Sequence, residues 1–374
     1  MVDPLDQMHP LPGMAASPIL TSAHKIAIAG LGLIGGSLAR RLVQRGRFVV
    51  AWNHTDKPYE AAQAAGIHTV DSLEELALGK PDVLVLATPL KAMPDMLSRL
   101  APVLPKVTTL TDVGSVKGQV RAQATQAGLA GQYVGAHPMT GSEFSGYAAS
   151  DPDLFEDALW ALCVDEQTDM SRFLTVADMV TQGVGDRFIC LDDATHDRSA
   201  ALISHMPHVV ATALAGMLSA SPERQVAAAL AAGSWRDMTR VALTDPQRTE
   251  AMVLEDAANV ASDLRQLSST LSQVAGHLEE VSLVNSTAQA SPSAEIPPGK
   301  ALGQLREFFA AAQPFRNYKA AQQSQVPRQQ AAVVNLQLSD EGWRDELKAS
   351  ALQGQQVVRF LTTHQAQVSP ALSW

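Results

Sequence analysis

The chain has 374 residues, more than one hydrophobic core usually organises, so two domains with an appendage are expected. Hydrophobic residues make up 46% and charged ones 18%, the balance of a soluble globular protein, and no apolar run reads as a membrane span. A net charge of −10 argues against wrapping nucleic acid and makes any cation facing an anionic small molecule a local arrangement.

Residues 1–24 carry acids and prolines, with no positive start and no long apolar stretch, and read as a disordered tail and not as an export signal. Residues 25–190 read as a dinucleotide-binding domain, since from 25 to about 165 short Val/Ile/Leu/Ala runs alternate with amphipathic stretches, the signature of βα units around a mainly parallel sheet. The strand candidates are KIAIAG, RFVVAW, PDVLVLATP, VTTLTDVG, QYVGAH and DALWALCV. Residues 191–284 change to Ala/Leu-rich helical windows broken near SPERQ and TDPQR, an all-helical second domain. Residues 285–300 are rich in Ser, Ala and Pro and read as a mobile linker. Residues 301–374 hold a helical window, a Gln-rich linker, the alternating strand AVVNLQL and an amphipathic helix, an appendage to which the sequence assigns no role. Cys163 and Cys190 lie in apolar, strand-like segments without metal-ligand spacing, which favours reduced thiols and a cytoplasmic setting.

The stretch GLGLIGGS places Gly30, Gly32 and Gly35 in GxGxxG spacing after a strand and at the opening of a helix that starts with Leu33 and Ile34. The first glycine permits a tight turn, the second a close approach of pyrophosphate, and the third helix-on-strand packing, while the helix N-terminus offers amides to the anion. A dinucleotide site follows. The next strand ends in Asn53, His54 and Thr55, where an NAD enzyme usually offers an acid to the ribose. A neutral Asn53 does not repel a 2′-phosphate, and His54, Thr55 and Lys57 can donate to one, so the expectation is NAD(P) with a slight preference for NADP. Thr88 and Pro89, Ser115 and Lys117, and His137 stand at three further strand ends, where open α/β sheets bind their ligands. Among these groups His137 is the expected chemical residue.

Taken in order, GLGLIGGS, TDVGSVK, GAHPMTGSEFSG, THDRSAALISHMPHVVATAL and GSWRDMTRVALTDP resemble the prephenate and arogenate dehydrogenases of tyrosine biosynthesis. The resemblance covers roughly Lys25 to Glu280. It implies an α/β Rossmann-type domain followed by an all-helical dimerisation domain, hence a homodimer acting on a small molecule. It also implies oxidation at C4 of a cyclohexadienol, with loss of carbon dioxide to 4-hydroxyphenylpyruvate when the substrate is prephenate, or to L-tyrosine when it is arogenate. His137 would take the proton of the 4-hydroxyl, and Ser115 would orient that histidine. Ser204, His208, Arg240 and Lys117 would hold the substrate, with Arg240 on its ring carboxylate.

Steps of seven and four residues put Asp197, Ser204 and His208 on one face of a regular helix. His205 and His208 lie at i,i+3, but no carboxylate or cysteine converges on them in sequence, so no metal is expected. The chain departs from some members of the family after TDP, where Arg248 and Thr249 replace an aromatic, and its tail lacks a clear βαββαβ regulatory pattern. The rival readings are another Rossmann-plus-helical dehydrogenase, such as a 3-hydroxyacid dehydrogenase or a pyrroline-carboxylate reductase, and a non-enzymatic nicotinamide sensor. Neither calls for HPMTG together with SHMPH.

Overall fold

The structure is a computed structural model that describes residues 23–142, 144–290, 299–323 and 332–371. Its sheet begins with β1 (Lys25–Ala29), β2 (Phe48–Trp52), β3 (His68–Thr69), β4 (Val83–Leu86), β5 (Thr109–Asp112) and β6 (Tyr133–Pro138), in the order β3-β2-β1-β4-β5-β6 and all parallel. β1 and β4 are runs of small and branched apolar residues that are buried almost throughout, as strands covered on both faces must be. β7 (Leu159–Cys163) pairs antiparallel with β6, bringing Ala161 opposite His137, and β8 (Arg187–Leu191), the strand-like segment around Cys190, follows in parallel. The strand order places Gly30, Asn53, Thr88, Ser115 and His137 at the carboxyl ends of neighbouring strands. That edge is the crevice of a doubly wound sheet.

The expected disordered tail stops short of residue 24. Ala23 is fully buried and its N–H donates to Asp178 Oδ2 at 2.9 Å, and the His24 N–H donates to Asp82 Oδ2 at 2.9 Å. Residues 1–22 lie outside the described residues.

The helical part opens with one long rod, Asp193–Ala220, whose middle turn, Ala201–His205, is π-helical. This rod corrects the expectation that no segment could span a membrane, for its 28 residues are long and apolar enough by length and composition. It is amphipathic in use, however: its start and π-turn bury His196 and His205, while Leu202, Ile203 and Met217 remain exposed. Further helices at Arg224–Leu230, Gly233–Thr239 and Pro246–Glu255 surround it, and Ala257–Ala290 closes the unit. That last helix runs through the first residues of the expected 285–300 linker, and residues 291–298 lie outside the described residues.

The tail has two destinations. The helix Lys300–Ala310 packs on Ala257–Ala290, and after a turn at residues 311–312 the chain is helical again over Gln313–Gln323, where a Gln-rich linker was expected. The remainder returns to the nucleotide-binding domain. β9 (Val334–Gln337), β10 (Val357–Thr362) and β11 (Gln365–Val368) extend the sheet in the order β8-β10-β11-β9. Trp343, on the helix Trp343–Leu352, is buried with its ring 5.0 Å from that of Phe173, and Phe360 stacks on Phe188 at 6.4 Å. The appendage is thus part of the main core.

Candidate active site

The glycine-rich turn is shaped as the motif requires. Gly30 has φ +110°, and a Cβ there would lie 2.4 Å from the Ala87 carbonyl oxygen; a Cβ at Gly35 would lie 2.0 Å from the Gly30 oxygen. Only glycine fits either place. Around Gly32 nothing stands within 4 Å of a Cβ position, and Gly32 begins the helix Leu33–Gln44 with no side-chain cap. The uncapped amides of the first turn stand at the positive end of a 12-residue helix, an arrangement that fits a dinucleotide pyrophosphate. Thr88 packs beside this turn, its Cγ2 only 2.8 Å from the Gly30 Cβ position, and Pro89 is exposed just beyond.

Asn53 has an internal task that the sequence reading did not foresee. Its Oδ1 accepts the Leu31 N–H at 2.9 Å, and its Nδ2 donates to the Thr55 carbonyl at 2.9 Å. The side chain thus ties the end of β2 to the glycine turn. His54 is exposed and Thr55 half-buried on the same turn.

At the centre is a chain of three side chains. His137 Nδ1 lies 2.9 Å from His196 Nε2, and His196 Nδ1 lies 2.8 Å from Asp197 Oδ1. Asp197 also accepts the Lys117 N–H at 2.7 Å and the Gly118 N–H at 2.9 Å. Burial pulls its carboxyl upward, but the hydrogen bonds from His196, Lys117 and Gly118 outweigh that and hold it below the usual range. An ionised carboxylate only accepts, so His196 donates from Nδ1, and in the tautomer with that single ring proton it accepts on Nε2. His137 must then donate from Nδ1, which leaves its Nε2 as a lone-pair acceptor. Burial first, and then the proximity of His196, Lys117 and His205, push the His137 imidazole well below its ordinary value and keep it neutral. A neutral imidazole of fixed tautomer with a free Nε2 is what a general base requires.

His196 is the residue that sequence reasoning missed. It is 2% exposed, and its partner lies 59 residues away, so only the fold joins them. The available signal was a histidine directly before an acid in the first turn of a helix. Ser115 is half-buried on the turn between β5 and the helix Gly118–Gln126, in the same crevice as His137.

Lys117 requires a correction. It was expected to hold substrate, but it is fully buried, ion-paired with Asp112, and donates from Nζ to the Ala136 carbonyl at 2.8 Å. Asp112 also accepts the Tyr133 hydroxyl at 2.8 Å and the Gly114 N–H at 2.9 Å. The lysine curls back to a carboxylate five residues earlier because an unpaired buried Asp112 would be costly. It clamps the strand end immediately before His137 and cannot reach a ligand.

The common face expected for Asp197, Ser204 and His208 is also corrected. The π-turn Ala201–His205 widens the helix between Asp197 and Ser204 and breaks the seven-residue phase. Asp197 instead caps the helix Gly118–Gln126, while His208 Nδ1 donates to the Ser204 carbonyl at 2.9 Å. His205 is buried against Asp256 Oδ2 at 2.9 Å. Arg240 is exposed, on the turn Arg240–Leu243 that packs on the helix bearing His208. Arg236 is also exposed and ion-pairs with Asp237 at 3.7 Å.

This chain matches the family of the prephenate dehydrogenase nucleotide-binding domain over residues 38–190 and that of the prephenate dehydrogenase dimerization domain over residues 192–285. It is 30% identical to the prephenate dehydrogenase of Lactococcus lactis over 78% of this chain and 79% of the relative, and 33% identical to the cyclohexadienyl dehydrogenase of Zymomonas mobilis over 64% and 83%. Among solved structures, prephenate dehydrogenase from Aquifex aeolicus in complex with hydroxyphenyl propionate and NAD+ is similar with TM-score 0.64 and 26% identity, covering 78% of this chain and 98% of that one. A putative prephenate dehydrogenase from Corynebacterium glutamicum gives TM-score 0.70 and 28% identity, covering 90% and 98%. The chain therefore belongs to the prephenate dehydrogenase family, and is an NAD(P)-dependent dehydrogenase of a cyclohexadienyl substrate.

Proposed function

We propose that the chain converts prephenate to 4-hydroxyphenylpyruvate and carbon dioxide, with His137 as general base. The observation that carries this reading is the His137–His196–Asp197 chain, which leaves one imidazole nitrogen free to accept a proton. The nicotinamide, when bound, accepts the hydride from C4. His137 Nε2 takes the proton of the 4-hydroxyl as C4 becomes a carbonyl. The electrons of the bond to the departing carboxylate then flow into the ring, and the proton returns to the resulting phenolate oxygen. Aromatisation drives the sequence, so the protein needs only to orient the substrate and hold one proton. Ser115 orients His137 and the hydroxyl, while Ser204, His208 and Arg240 hold the substrate, with Arg240 on the ring carboxylate as a charge-assisted contact.

For the cofactor we favour NADP. No acid occupies the end of β2, Asn53 is committed to the glycine turn, and exposed His54 and Lys57 with Thr55 supply donors for a 2′-phosphate. For assembly we favour a homodimer through the helical domain. Leu214, Met217, Leu218, Leu230 and Trp235 line an apolar groove there, and Leu230 and Leu243 are 76% and 80% exposed. A self-complementary patch of this kind suits a two-fold pair in the cytoplasm and accounts for the apolar helix without a membrane, and the acidic chain suits a small-molecule substrate better than nucleic acid. Steady-state kinetics with prephenate and with arogenate, each with NAD and with NADP, test this reading. The expected result is the highest kcat/KM with prephenate and NADP; higher kcat/KM with arogenate would reassign the substrate, and equal or better use of NAD would withdraw the cofactor preference.

A further inference from the structure

The segment that follows His137 is tied down at both ends by the nucleotide-binding domain. On the near side the Met139 N–H donates to the Leu159 carbonyl at 2.9 Å, and Thr140 Oγ1 donates to the Leu154 carbonyl at 2.9 Å. On the far side the Tyr147 ring lies against the dinucleotide helix, where a Cβ at Gly36 would come within 2.7 Å of it. Arg40 Nη1 donates to the Ser150 carbonyl, and the Asp151 N–H donates to Ser37 Oγ at 2.9 Å. Between these anchors Gly141, Phe144, Ser145 and Gly146 are exposed, and Phe144 shows 63% of its surface.

That middle portion is held from the other domain. Arg248, on the helix Pro246–Glu255, donates from Nη1 to the Ser142 carbonyl at 2.8 Å and to the Phe144 carbonyl at 3.1 Å. The arginine itself is well seated, since its backbone N–H donates to the N-cap side chain of Asp245 at 3.0 Å. One guanidinium nitrogen thus gathers two carbonyls two residues apart. A guanidinium can do this because it has several fixed donors and no acceptor, whereas an ammonium offers a single point charge.

We propose that Arg248 is a positioning residue that couples the helical substrate domain to the loop leading away from His137 and so holds the two walls of the crevice in register. The proposal rests on the dehydrogenase reading above. Arg248 does not touch the reacting atoms, and its own N–H and C=O stay in the helix when the side chain is cut back.

The test uses the full-length enzyme and the variants Arg248→Ala and Arg248→Lys. Two charge-assisted hydrogen bonds at an exposed site correspond to about 3- to 30-fold. Arg248→Ala should raise KM for prephenate by about that factor, with kcat within about threefold, cofactor affinity unchanged and thermal midpoint nearly unchanged. Chymotryptic cleavage after Phe144 should accelerate by a similar factor, a readout that a merely structural role elsewhere in the helix would not move. Arg248→Lys should lie between. Unchanged KM and unchanged cleavage in Arg248→Ala would overturn the proposal. A raised KM with unchanged cleavage would overturn it as well, because Arg248 would then be touching substrate directly. If the unaltered enzyme turns over neither prephenate nor arogenate, the dehydrogenase reading fails, while the cleavage comparison still decides whether Arg248 holds the loop.

Discussion

Around His137 the polar groups are buried and mutually satisfied, whereas the cations of the helical domain stand in solvent. Asp112, Lys117, Tyr133, His196 and Asp197 use their hydrogen-bonding capacity on one another or on backbone groups beside His137. Arg240 and Arg236 are exposed, and the apolar residues near them are open as well. The difference separates two physical tasks. A base must keep one tautomer and one orientation before any ligand arrives, so its support is a pre-formed network in low dielectric. An anion clamp gains from staying hydrated until a carboxylate replaces its water, since an unpaired arginine buried in advance would be costly.

The largest expected effect lies on the pre-formed side. His137→Asn should lower kcat by about 10² to 10⁴, the usual worth of a positioned base, with little change in cofactor affinity. Near-normal kcat at saturating substrate would remove His137 from the mechanism. Lys117→Met comes next and should appear as lost stability. Breaking a buried pair costs about 3–5 kcal/mol, seen as a lower midpoint in urea, while KM of the folded fraction should hold. A raised KM at unchanged stability would restore Lys117 to the substrate and undo its reassignment as scaffold. The smaller effect belongs to the exposed side: Arg240→Ala should reduce kcat/KM by about 10- to 100-fold, as for a hydrogen bond to a charged group, leave cofactor binding intact, and be partly recovered in Arg240→Lys. Arg236→Ala is the control. If it proves the more severe variant, the clamp has been placed one turn too far along the chain.

What the sequence disclosed follows the same division by range. The glycine turn was legible because Gly30 and Gly35 are forced by backbone contacts within a few ångströms, and a local motif records local sterics. The place of His137 at a strand end was legible because the alternation of strands and helices fixes that edge of the sheet. Lys117 was misread because its partner, Asp112, lies on the preceding strand, and burial is a property of the whole sheet. His196 was overlooked because its bond to His137 crosses 59 residues. The π-turn at Ala201–His205 leaves no mark in a pattern of apolar spacing, so a face drawn with regular helical steps was wrong there. The tail was read as an appendage because its strands are short, yet Trp343 buries itself against Phe173 and carries β9, β10 and β11 onto the sheet.

The central claim is that His137 acts as a neutral base whose tautomer is set by His196 and Asp197. The measurement that tests it most directly is the pH dependence of kcat/KM for prephenate in the unaltered enzyme and in His137→Asn. Because the folded-state value of His137 is lowered, the base stays unprotonated down to pH values below 6.5, and activity is lost only as pH falls through that lowered value. The account predicts an acid limb below pH 6.5 in the unaltered enzyme that is absent from the residual activity of His137→Asn. An acid limb at or above pH 6.5, or one that persists unchanged in the variant, would contradict it.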